Sequence, residues 1–204
     1  YFQKNIQLQF VKMKLILLSA LMCFISTPTF AAITLHCKFD DYIYEGNYKC
    51  EVEKLSITTR NEIVSDVSGT HIPRRTNSNV IILSINEQTA HYLPENLAQF
   101  FPNLMYLTIN KSGLKEITKN DLRGFTKLRN IVVRGNDVES LPGDLFEYNL
   151  QLANIDFPTN KIKNIGRDIF KALTSLESAN FLRNECITLA AKNSVPTIFR
   201  SERA

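Results

Sequence analysis

The feature that most constrains this chain is an internal period. Five segments align with starts 24 residues apart: VIILSINEQTA from Val80, LMYLTINKSGL from Leu104, LRNIVVRGNDV from Leu128, LANIDFPTNKI from Leu152 and LESANFLRNEC from Leu176. A unit of that length cannot cover its own apolar side chains, so the copies must stack and share one continuous core.

Each column of the alignment carries a physical role. Position 1 holds Val80, Leu104, Leu128, Leu152 and Leu176, position 4 holds Leu83, Leu107, Ile131, Ile155 and Ala179, and position 6 holds Ile85, Ile109, Val133, Phe157 and Phe181. Positions 4 and 6 alternate with polar neighbours, as they do on a short strand with one buried face. Position 9 is Gln88, Ser112, Asn136, Asn160 and Asn184. A buried amide there can bond backbone groups that a turn leaves without partners, so the ladder should be weaker where Gln88 and Ser112 replace asparagine. Further inward positions follow at 11 and 14, the latter being Leu93, Ile117, Leu141, Ile165 and Leu189, and at 19, Leu122, Phe146 and Phe170.

The columns spell L-x-x-L-x-L-x-x-N-x-L, and from Val80 to Leu189 the chain resembles extracellular leucine-rich repeat proteins. The stretches LPENLAQFFPNL and LPGDLFEYN resemble those of the insect secreted type. The resemblance implies an α/β solenoid, a horseshoe with a parallel concave sheet and short helical or extended segments on the convex side. It specifies a scaffold rather than a ligand.

The flanks complete the plan. Residues 13–31, MKLILLSALMCFISTPTFA, read as a secretory signal peptide, with an apolar core too short to span a bilayer and small residues at its exit. Residues 1–12 read as upstream leader ahead of Met13. Residues 32–79 read as an N-terminal cap in which Cys37 and Cys50 enclose a loop. A disulfide closing it would contribute about 3 kcal/mol in the chain-entropy model; a metal pair with His36 or two free thiols are the alternatives, and a metal would need more convergent ligands. Residues 190–204 read as a C-terminal edge and tail. Cys186, inward in the last repeat, has no downstream partner, which leaves a buried thiol, a chain lacking its cap, or an intermolecular disulfide.

Charge narrows the partners. The chain carries 24 basic and 20 acidic residues. Cleavage after Ala31 would remove Lys4, Lys12 and Lys14 and no acid, leaving 21 against 20. So balanced a chain does not suggest a nucleic-acid partner, and no later segment approaches transmembrane length.

Function is expected on the outward strand positions 2, 3, 5, 7 and 8, which line the concave face. The candidates are Tyr106, Thr108, Asn130, Arg134, Asn154, Asp156, Asn180 and Arg183, with Tyr106 and Arg134 as anchors of the residue types enriched at hot spots. An apolar group on the same face, Ile81, Ile82, Met105 and Tyr106, is expected to pack under the cap hairpin. Asn110-Lys111-Ser112 is a glycosylation sequon on this face, with Asn110 the acceptor. His36, His71 and His91 are scattered, with no nucleophile elbow, phosphate loop or metal-ligand set, so neither an enzyme nor a cofactor is expected. The chain reads as a secreted, non-enzymatic protein that binds an extracellular protein or glycan, as a monomer or a Cys186-linked dimer. A matrix or adhesive component, or a fragment of a longer receptor ectodomain, is the competing reading.

Overall fold

A computed structural model describes residues 31–41 and 47–185, and the backbone of 188 and 189. Residues 1–30, which hold nearly all of the stretch read as a signal peptide, and Cys186 and the tail lie outside the described residues.

The cap begins with β1 (Ala32–Asp41) and β2 (Tyr48–Lys54), which pair antiparallel, and continues through β3 (Ser56–Ile57) and β4 (Ile63–Ser68), the last lying parallel to β1. The repeats then contribute β5 (Ile82–Asn86), β6 (Thr89–Ala90), β7 (Tyr106–Asn110), β8 (Asn130–Arg134), β9 (Ser140–Leu141), β10 (Asn154–Asp156), β11 (Asn164–Ile165), β12 (Ser178–Asn180) and β13 (Thr188–Leu189). Among the described residues helix is confined to single turns, α1 (Leu97–Phe100) and α2 (Lys119–Leu122), and a 3-10 turn at Asn77–Asn79.

The sheets follow directly from the period. An eight-stranded sheet runs β12-β10-β8-β7-β5-β2-β1-β4, and its only antiparallel neighbours are β1 and β2. Within the repeats, partners stand one period apart: Ile82 beside Tyr106, Tyr106 beside Asn130, Asn130 beside Asn154, Asn154 beside Ser178. The strand is short in the fourth copy because Pro158, at position 7, has no N–H to give a ladder. A second parallel sheet of β9, β11 and β13 is built on position 14, and β3 pairs with β6. Large parallel sheet, little helix and terminal disulfide are all compatible with the expected leucine-rich repeat fold.

The inward columns form one core. Leu83, Leu107, Ile131 and Ile155 of position 4, and Ile85, Ile109, Val133 and Phe157 of position 6, are almost wholly buried. The cap shares this core through Leu35, Cys37, Tyr48, Cys50 and Val52, and Cys37 and Cys50 form a disulfide. The segment EVEKLSITT carries the end of β2 and the whole of β3, separated at Leu55. Behind the sheet, Thr118 and Asp121 form a capping box on α2, and Arg60 from the cap ties to Glu116 at 2.7 Å and Asp121 at 3.8 Å.

Position 9 behaves as a ladder of backbone substitutes. Asn136 donates to the carbonyls of Ile109 and Arg134 and accepts from the amides of Ser112 and Leu114, at 2.9–3.1 Å. Asn184 spans the fourth and fifth copies likewise, accepting from Ile162 N–H and donating to Phe157 and Phe181. Ser112 has a single proton to share between Ile85 and Asn110 carbonyls. Gln88 departs from the expected weakness, because its longer arm reaches the cap and accepts from Leu55 N–H at 3.0 Å. Asn160 is the incomplete rung: its amide donates to three carbonyls while its buried Oδ1 has no partner.

Position 8 follows a rule that the sequence does not announce. Glu87, Lys111, Gly135, Thr159 and Arg183 all have φ between +47° and +66°. In the first four copies this residue's N–H bonds to the position 7 carbonyl of the next copy. Only glycine holds that conformation without cost, and a β-branched residue holds it worst.

Two stability results follow. Asn136→Ala should cost about 3 kcal/mol or more, since it strands two buried donors and two acceptors, with Asn160→Ala and Ser112→Ala costing less. Thr159→Gly should stabilise the chain by about 1 kcal/mol, because relief of left-handed strain exceeds the added chain entropy. Urea titrations of the purified chain read both; equal losses at positions 136 and 160, or a destabilised Thr159→Gly, would contradict the assignment.

Candidate functional site

Alternation along the strands leaves positions 3, 5 and 7 on the outer face of the large sheet, and register aligns them into rows. The first row runs Lys49, Ile82, Tyr106, Asn130, Asn154, Ser178, and the second Glu51, Ser84, Thr108, Val132, Asp156, Asn180. Asn86, Asn110 and Arg134 make a third. Seven of the eight expected residues therefore share one surface: Tyr106, Thr108, Asn130, Arg134, Asn154, Asp156 and Asn180. Arg183 stands apart, exposed in the left-handed turn after β12 rather than on a strand.

Three features were not legible beforehand. First, the cap joins the face, since β2 pairs in parallel with β5 and brings Lys49 and Glu51 into the rows. The alternation in YKCEVEK is the signal that would have shown it. Secondly, this arrangement corrects the expectation for Ile81, Ile82, Met105 and Tyr106. The hairpin extends the sheet beside them rather than lying over them, and all four stay half-buried. Thirdly, Asn149, a polar residue in a column otherwise holding Phe101, Phe125 and Leu173, is fully buried and donates to the carbonyls of Leu122 and Phe125. Its role is structural.

Hydrogen bonds run along the rows. Ser178 donates to Asn154 Oδ1 at 2.5 Å, and Asn154 Nδ2 donates to Asn130 Oδ1 at 2.7 Å. Asn180 Nδ2 donates to Asp156 Oδ1 at 2.6 Å, and Asp156 faces Arg134 at 3.5 Å. At the other end Lys49 meets Glu51 at 2.6 Å, and Asn86 Nδ2 donates to Glu51 at 3.0 Å. These two donors, Lys49 first, hold the Glu51 carboxyl below its usual range. Lys111 and Glu87 pair at 3.2 Å at the strand ends.

The sequon lies within this surface. Asn110 is half-buried on β7, and Ser112 is 2% exposed with its hydroxyl turned to backbone carbonyls. A glycosyltransferase that reads Ser112 would have to reach it before the chain folds.

Two of the histidines hold structural contacts within the cap. His71 stacks on Phe39 with centroids 3.9 Å apart and meets the Tyr48 hydroxyl at 2.7 Å, while His36 meets Ser68 at 2.7 Å. Behind the sheet, burial pushes the Asp121 carboxyl up, opposed by its bonds from Thr118. Among the described residues no cluster of three or more His, Cys, Asp or Glu side chains could hold a metal ion, and no helix is long and apolar enough to cross a membrane.

No protein-family model and no curated protein matches the chain. Among solved structures it is similar to a chain of the Toll–Spatzle complex of Drosophila, described as a molecular hub in development and innate immunity, with a TM-score of 0.50 and 19% identity. The likeness covers 60% of this chain and 17% of that one. At that identity it speaks for the fold alone.

Because Glu51 has a lowered folded pKa, its contribution is present above the unfolded carboxyl pKa of about 4.3 and is lost as pH falls through the folded value. Glu51→Gln should therefore flatten part of the acid limb of stability against pH, read by denaturant melts from neutral to strongly acidic pH. An unchanged limb would show that the Lys49 and Asn86 contacts do not persist in solution. The parallel sheet and the shared core leave the chain similar in fold to a portion of one chain of that Drosophila complex.

Proposed function

We propose that this chain is an extracellular, non-enzymatic recognition protein, a leucine-rich repeat solenoid whose concave face is the outer face of the large sheet. The observation that carries this reading is the continuity of that face. Cap and repeats form one register-locked surface of half-buried side chains, Ile82 and Tyr106 among them, with a polar half built from Asn130, Asn154, Asp156 and Asn180. Exposed surfaces with an apolar centre and polar rim are where soluble proteins take partners. The disulfide favours an oxidising compartment, and the likeness to a chain of the Toll–Spatzle complex suggests an extracellular protein as one class of partner. Secretion through residues 13–31 and glycosylation at Asn110 belong to the same reading.

The test is affinity capture from native extracellular fluid with the secreted chain as bait, followed by titration of the captured partner. Tyr106→Ala and Arg134→Ala should each weaken the complex, Tyr106→Ala by about 2 kcal/mol as expected for a hot-spot aromatic. Retention of full affinity in both variants would remove the outer face as the binding site.

A further inference from the structure

Within the proposed reading of the outer face as a binding surface, we infer that its ligand is a neutral oligosaccharide, seated on the Tyr106 ring and held by the amides of Asn130 and Asn154. The three residues are consecutive in one row on adjacent strands. With Ser178 the row spans three strand spacings, about 14 Å, the length of a short oligosaccharide.

The row offers both kinds of contact that a sugar needs. A pyranose presents an apolar C–H face and a rim of hydroxyls. The Tyr106 ring is half-buried and supplies an aromatic platform for the first. The amides supply the second, and their orientation is set before any ligand arrives. Ser178 donates to Asn154 and Asn154 donates to Asn130, so each carbonyl oxygen is identified by the donor aimed at it. After those bonds Asn154 keeps one N–H and Asn130 keeps two, and each oxygen keeps a second lone pair. A hydroxyl group both donates and accepts, which matches an N–H beside a spare lone pair. Because the amides are already locked, little side-chain entropy remains to be lost on binding.

Charge argues for a neutral ligand over an acidic one. Arg134 is paired with Asp156, and Lys49 with Glu51. The exposed Arg129 and Arg183 lie outside the strands, one before β8 and one after β12, so they form no cationic track along the row. A protein hot spot would call for a desolvated apolar pocket, whereas beyond Tyr106 this row is polar, from Asn130 through Asn154 to Ser178.

The experiment is binding of the full secreted chain to an array of defined neutral and acidic oligosaccharides, heparin included, with titration calorimetry on the best neutral sugar. Tyr106→Ala and Asn130→Ala should each weaken that binding about tenfold, the loss of one aromatic contact or of one to two neutral hydrogen bonds. Tyr106→Phe should retain it, as should Lys163→Ala, remote on the other side of the repeat. Thermal melts of each variant confirm folding. Binding confined to acidic sugars overturns the proposal. So does neutral-sugar binding that all variants share equally. If no sugar binds while a captured protein still loses affinity in Tyr106→Ala, the oligosaccharide is excluded and the outer-face reading stands.

Discussion

The structure depends on how each turn of the stack satisfies its backbone without regular helix or hairpins. A chain that reverses direction inside a core buries N–H and C=O groups, each costing about 1–3 kcal/mol if unpaired. Position 9 answers this with one side chain per turn. Asn136 shows why asparagine suits: it is short enough to stay under the turn, and it carries two donors and an acceptor that bridge consecutive copies. Ser112 cannot donate twice, and Gln88 reaches past its own turn to the cap amide of Leu55. The departures from asparagine therefore fall in the first two copies, and only Gln88 bonds across the junction with the cap.

That ladder and the left-handed residue at position 8 act together. The positive φ turns the chain out of the strand one residue before the buried amide, and it aims the position 8 N–H at the next copy. Local strain is thereby exchanged for a bond between copies, and the strands keep a constant register. Register in turn makes the outer face a set of straight rows, because every strand presents the same positions at the same height. The regular outer face is thus a consequence of buried polar chemistry beneath it.

Much of this was legible from the amino-acid sequence because the period is strict. Leu107, Ile131 and Ile155 had to be inward once the columns were aligned, and Tyr106, Asn130 and Asn154 had to be outward. The turn at position 8 was not legible, since Glu, Lys, Thr and Arg give no sign of left-handed backbone and only Gly135 does. The alliance of cap and repeats was hidden for another reason. Lys49 lies 33 residues before Ile82, outside the 24-residue period, so no column predicted their pairing. The direction of the amide chain from Ser178 to Asn130 was likewise beyond the alignment, because it depends on rotamers that only neighbouring strands decide.

The same geometry explains why one face carries an apolar and a polar half. Near the cap, Ile82 and Tyr106 have on one side the paired charges of Lys49 and Glu51, which keep their polar ends bonded to each other and to Asn86. On the other side the amides of Asn130 and Asn154 bond along the row rather than across to the aromatic ring. Tyr106 is therefore left between two self-satisfied polar groups, neither of which needs it. An aromatic residue in that position adds nothing to the fold's hydrogen bonding and exposes apolar area at a cost. Its best use of that area is contact with something outside the chain.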